Sequence, residues 1–355
     1  MITARIKRQQ YLDTNGILNR PLPAHIDNRE QLIELYQTLV TTRLFDEAAV
    51  NLQRTGIIGT YAQSRGQEAI GGAIGKAMLC DDVFIPYYRD IATQIQRGVR
   101  LEEILQYWGG DERGSCFAKQ KHDFPLCVPI ATQFCHAIGV AFALKQRANQ
   151  NVAVVTGGDG STSKGDFYEA INIAGAMSLP CLFVINNNQW AISVPIEHQT
   201  AAETIAHKAY AAGIESTQIE GNDPIAMLVG VQQALEKIRH SGKPFFIEAI
   251  SYRICDHTTA DDATRYMQAQ ALQDAIKKEP LIRYKKFLCQ YYDWSNEEDL
   301  RVYHDSQQVV HQAVEDFQLI KQQQDGEFFD YMYQDLPVDL AEQKQTFLDE
   351  LKRHE

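Results

Sequence analysis

Two short polar motifs, each closing a buried apolar run, constrain this chain more than any other feature. Gly158-Asp159-Gly160 follows Val152–Thr156, and Asn187-Asn188 follows Cys181–Ile185. Both runs have the length and apolar content of buried strands, and Asp166 to about Met177 between them has the pattern of a helix. Together they form a βαβ unit, with both motifs just past the carboxyl ends of its strands, where open parallel sheets bind ligands. Glycines at 157, 158 and 160 permit close backbone approach to a phosphate. The following helix would turn its N-terminal amides toward an anionic diphosphate at the same place. Asp159 and the Asn188 side chain are expected to hold a divalent cation such as magnesium, with the Trp190 carbonyl as a third oxygen, because hard cations take oxygen ligands and bridge to phosphates. A Rossmann dinucleotide site is the rival. It requires a third glycine where Ser163 stands and an acidic residue where Asn186-Asn187-Asn188 closes the second strand, so it fails twice.

The rest of the chain extends the same architecture. Thr217–Glu220 and Pro244–Ile250 read as further strands with Pro224–Ile238 as the helix between them, so the expected fold is a doubly wound, mostly parallel α/β sheet. Residues 1–28, with Pro21 and Pro23, read as an extended arm. Residues 29–355 read as one α/β domain, helical from about residue 267, where Ser295–Glu298 has the form of a capping box. A helix begins at Asn28 or Arg29, with Leu32, Leu35 and Leu39 on its apolar face. Gly66–Met78 and Ala137–Ala143 are helical segments studded with small residues, suited to close packing inside the chain or against a partner subunit.

Composition excludes several classes. A net charge of −12 over 355 residues argues against a general nucleic-acid surface. Seven scattered cysteines without a CxxC pair fit reduced thiols rather than disulfides or a zinc site. No run of eighteen apolar residues is present, so no membrane span is expected, and Met1–Gln10 lacks the apolar stretch of a secretion signal.

Two further segments carry candidate chemistry. Tyr88-Arg89 follows Phe84–Pro86; an arginine can grip a phosphate and a tyrosine hydroxyl can add a neutral donor, although a surface Arg89 paired with Asp90 reads the same residues. Tyr252–Tyr266 is a polar loop after a buried strand, carrying His257 among hydroxyl and acidic side chains. A solvated histidine is the plain reading, and a ligand or proton partner working near neutral pH the functional one.

The paired motifs, with their spacing, resemble the thiamine diphosphate signature. Their surroundings, Gly165–Gly175 and Asn187–Pro195, resemble one branch of thiamine enzymes: the E1 α subunit of 2-oxo acid dehydrogenase complexes. The resemblance runs from about Leu32 to Tyr333. It implies the thiamine diphosphate-binding fold, with Gly158, Asp159, Gly160, Ser161 and Asn188 at the cofactor and Asp159, Asn188 and Trp190 at Mg2+. It further implies Tyr88 and Arg89 on the diphosphate, Ile130 as an apolar wedge bending the cofactor, and His257 as a catalytic residue that touches the diphosphate and supports reductive acylation. Arg253 would order the His257 loop, and Thr258 falls where animal enzymes carry a regulatory phosphoserine. Pro129, Thr132 and Gln133 match a potassium-binding loop of branched-chain members, and an ordinary helix entry fits them equally.

The implied activity is oxidative decarboxylation of a 2-oxo acid, with acyl transfer to a lipoyl-bearing E2 acyltransferase. An E1 β subunit would complete the site in an α2β2 heterotetramer located in a bacterial cytoplasm. Asp261–Tyr266 is closer to bacterial pyruvate enzymes, and Ile130–Gln133 to branched-chain ones. Pyruvate is favoured, branched-chain 2-oxo acids come next and acetoin third; a non-catalytic scaffold subunit is the alternative of another class. Three departures stand out. Ala62 replaces a histidine of animal pyruvate enzymes, Asn186 an arginine of branched-chain members, and Val128 a small hydroxyl residue.

Overall fold

The computed structural model describes residues 6–321 and 324–354. The first five residues of the expected arm, half of the basic stretch Met1–Gln10, lie outside them. Strands β1 (Arg8–Gln9), β2 (Val83–Ile85), β3 (Ala153–Gly158), β4 (Cys181–Asn187), β7 (Glu215–Glu220) and β8 (Phe245–Ile250) form one parallel sheet in the order β1-β7-β8-β4-β3-β2. A two-residue antiparallel ribbon pairs β5 (Trp190–Ala191) with β6 (Val194–Pro195).

Alternation of side chains explains why both faces are covered. Ala153, Val155, Phe183 and Ile185 point into a core shared with the helices Thr132–Gln146, Gly165–Met177 and Ala206–Ala211. Their neighbours Val154, Leu182 and Val184 point the other way, against the helices Arg29–Arg54, Glu68–Ala77 and Pro224–Ser241. Crossover helices therefore lie on opposite faces for β3–β4 and for β7–β8, which makes the sheet doubly wound.

Local chemistry sets the element ends. Asn28 caps the first long helix by accepting from the Gln31 amide at 3.1 Å. Asp223 caps Pro224–Ser241 through the Ile225 and Ala226 amides, and its other oxygen takes the Tyr11 and Leu12 amides at 2.7 and 2.6 Å, which ties the arm to the sheet edge. The Ser295–Glu298 capping box forms and opens the helix Asn296–Leu319. That helix packs on the first one, where Tyr36 donates to Asp299 at 2.8 Å and Thr41 to Ser306 at 2.9 Å.

The two small-residue segments serve different ends. In Glu68–Ala77 the glycines face the interior, and a Cβ on Gly75 would meet Gln96 at 2.6 Å. In Thr132–Gln146, Gly139 is exposed with nothing within 4 Å of an added Cβ. Gly175 is tighter still, since a Cβ there would stand 2.0 Å from the Ala212 carbonyl oxygen. Gly175→Ala should therefore lower stability by about 1–3 kcal/mol through overpacking. Gly139→Ala should raise it by about 0.5–1 kcal/mol through helix propensity. Urea melts of the two variants check both signs.

Candidate active site

The strands end where the site begins. Gly158 pairs with Asn186 and Asn187 with Ile250, so β3, β4 and β8 release their chains at one level of the sheet. Both strands run about two residues further than their apolar patterns, because the glycines and asparagines keep bonding in the ladder. Past Gly158 the chain enters a 3₁₀ turn, Asp159–Ser163, before the helix Gly165–Met177 starts. This corrects the expectation that the helix amides face the diphosphate site. The turn intervenes, and Gly158, Asp159, Gly160 and Ser161 line the pocket while the helix contributes no residue to it.

One pocket gathers Tyr88, Arg89, Ile130, Gly158, Asp159, Gly160, Ser161, Asn188, Trp190 and His257, drawn from the segments that follow β2, β3, β4 and β8. Of the potassium-loop residues, Gln133 lines it and Pro129 and Thr132 do not. Ile130 is 46 % exposed, and Ala131 beside it has φ 74°, a left-handed conformation uncommon for a residue with a side chain. The β5–β6 ribbon is entered and turned in the same way, with Gln189 before β5 at φ 72° and Ile192 between β5 and β6 at φ 54°. For a β-branched residue such as Ile192 this is strained backbone, of the kind that gathers at functional sites.

Two buried charges face this pocket without an opposite charge bonded to them. Asp159 is 1 % exposed and accepts from the Gln199 side-chain amide at 2.7 Å. Burial pushes its carboxyl up to about 6. Arg89 is 4 % exposed and donates to the backbone oxygens of Gln63 and, at 2.9 Å, His257. Its neighbour Asp90 turns away, accepting from the Tyr87 amide and the Thr156 hydroxyl, so the surface pairing of Arg89 with Asp90 does not form. Asn188 is held by its own turn, where its side-chain oxygen accepts from the Trp190 amide at 3.2 Å.

The His257 loop is tied down from several sides. Asp261 accepts the His257 amide at 2.8 Å and the Tyr266 hydroxyl. Arg253, fully buried, donates to the Ile192 carbonyl at 2.8 Å and to Tyr266 at 2.6 Å, joining this loop to the ribbon after β4. Tyr61 and Thr259 exchange bonds at 2.9 and 3.0 Å. Partial burial, with Arg89 and Arg253 beside the ring, pulls the His257 imidazole down to about 4. It is therefore neutral at pH 7 in the unliganded chain, instead of titrating near neutrality as its ordinary value suggests.

Some neighbours of the site carried no local signal. Gln67 accepts from the Asn186 and Asn188 amides, and Gln199 reaches Asp159 only because the ribbon folds the chain back. Asn186 lies under the site in an internal network, accepting from the Ser251 hydroxyl at 2.7 Å and donating to Tyr87 at 3.1 Å.

A family model described as "Dehydrogenase E1 component" matches residues 36–324. The chain is 36 % identical over 346 residues to the pyruvate dehydrogenase E1 component subunit alpha of Staphylococcus aureus (strain Mu50), covering 97 % of this chain and 93 % of that one. It is 37 % identical over 319 residues to the Bacillus subtilis (strain 168) protein of the same name, covering 90 % and 86 %. With that extent of likeness, and the sheet that carries it, the chain belongs to the dehydrogenase E1 component family.

Proposed function

We propose that this chain is the α subunit of a thiamine diphosphate-dependent pyruvate dehydrogenase E1, active with a β subunit in an α2β2 assembly. The observation that carries the reading is the pair of buried charges. A buried carboxyl without a cation and a buried guanidinium without a carboxylate are each costly alone, and a magnesium diphosphate supplies both counter-charges at once. The donor set fits that group. Asp159, the Asn188 side chain and the Trp190 carbonyl offer oxygens to a hard cation. Tyr88 and Arg89 offer donors to the phosphates.

When bound, thiamine diphosphate supplies the nucleophilic carbon and the electron sink for loss of carbon dioxide from a 2-oxo acid. The chain's own residues position and screen. Arg89 and the neutral His257 would hold the diphosphate end, whose negative charge would raise the imidazole toward its ordinary range and let it hold a proton during acyl transfer to lipoyl-E2. Ile130, an apolar side chain lining the pocket, would offer an apolar ridge to the cofactor. The unpartnered Gln133 side-chain oxygen is the atom suited to a potassium ion beneath that segment. Exposed apolar side chains lining the pocket, with Ile192 56 % and Ile130 46 % exposed, suit coverage by the β subunit. None of the described helices is long and apolar enough to cross a membrane, and the bacterial relatives support a cytoplasmic location.

Co-expression with the β subunit, followed by decarboxylation assays with an artificial electron acceptor, tests the substrate. Pyruvate should give the higher kcat/KM, and a higher value for 3-methyl-2-oxobutanoate would overturn the preference. Asp159→Asn should weaken magnesium-dependent thiamine diphosphate binding by at least about 100-fold, or about 2.7 kcal/mol; unchanged calorimetric binding would remove Asp159 from the metal site. Because burial raises the Asp159 carboxyl, protons compete with the metal below about pH 6. Apparent magnesium affinity should then fall about tenfold per pH unit below that value, with one proton released per ion bound, measurable by calorimetry in buffers of different ionisation enthalpy.

A further inference from the structure

A second polar cavity, of about 360 Å³, opens behind the turn that carries Asn188. The arm forms one wall, the ends of β7 and β8 another, and Lys278 and Arg283 of the helical C-terminal part a third. Ser251 joins it to the turn, since its amide donates to the Asn187 carbonyl at 2.9 Å on the far side from the thiamine pocket.

Arg283 is the unusual group here. Its side chain is 1 % exposed, and its Nε and Nη1 have no hydrogen-bond partner. The Glu220 carboxylate places Oε1 3.7 Å from Nη1, beyond hydrogen-bond reach, while its Oε2 accepts from Arg8. The Asn222 side-chain oxygen, in a residue 6 % exposed, is also without a partner. Three cationic side chains (Arg8, Lys278 and Arg283) face two carboxylates (Glu220 and Asp274) across the cavity. A buried guanidinium with two idle donors is costly until an acceptor reaches it. An anionic acceptor suits the idle guanidinium donors of Arg283 and the neighbouring Lys278 ammonium, and a hydroxyl on it would satisfy Asn222.

We propose that this cavity is a binding site for a small oxyanion carrying a hydroxyl, with Arg283 and Lys278 taking the charge and Asn222 the hydroxyl. Hydrogen phosphate and 2-hydroxy carboxylates share that chemistry. The proposal is independent of the thiamine reading, because no residue named for it lines the thiamine pocket.

Thermal shift of the full chain, titrated with inorganic phosphate or with lactate at constant ionic strength, tests it. A saturable rise in Tm is expected with at least one probe. Phosphate alone, lactate alone or both would assign the site to a phosphoryl group, a carboxylate or their common features. Lys278→Glu, a substitution at an exposed position, should weaken the midpoint at least fivefold, and Arg283→Gln should abolish the response. Arg89→Gln, which disables the other anion-seeking pocket, should leave it intact. No saturable response, the same midpoint in Lys278→Glu, or loss of the response in Arg89→Gln would overturn the proposal. Lys278→Glu carries the test if Arg283→Gln does not fold.

Discussion

Parallel pairing of β3 with β4 sets Gly158 opposite Asn186, so both strands release their chains at one level of the sheet. The rest of the site depends on this register. A slip of one residue would turn Val155 and Phe183 out of their core, so burial on both faces holds the register fixed. β8 continues the same level on the other side of β4 and delivers the His257 loop. The crossover from β3 to β4 packs on one face of the sheet and that from β7 to β8 on the other, and the pocket is the crevice at the strand ends, bounded by the segments that follow β2, β3, β4 and β8.

Within that crevice, electrostatics follow from burial more than from pairing. Asp159 and Arg89 are held by neutral partners, an amide and two backbone carbonyls, which fix their positions without neutralising them. Partial burial, with the Arg89 and Arg253 guanidiniums beside the ring, keeps the His257 imidazole neutral near pH 7. Strained backbone at Ala131, Gln189 and Ile192 shows where the chain bends sharply to bring Ile130 and the β5–β6 ribbon to the pocket. Packing must hold these conformations, and Arg253 does so for Ile192 through its carbonyl.

Much of this was legible in the chain itself. Strand–helix alternation gave a doubly wound parallel sheet, and the polar residues at strand ends marked the segments that line the pocket, because apolar runs stop where side chains meet solvent or a cleft. Strand ends were the least legible part, since glycine and asparagine continue a ladder without an apolar signature. The two-residue β1 and three-residue β2 are too short to show a pattern at all. Gln67 and Gln199 were invisible for another reason: their roles come from approach in space across long sequence separations.

The sequence alone determined the βαβ unit and the residue types at its two strand ends, since local periodicity carries that information, and its likeness to relatives over most of its length shows the family. Tertiary structure decided which of those residues are deprived of water and of counter-charge. It turned Arg89 away from Asp90, lowered His257 and raised Asp159, and left Arg283 buried with idle donors. Desolvation is a property of the whole packed chain, and no local pattern of residues encodes it.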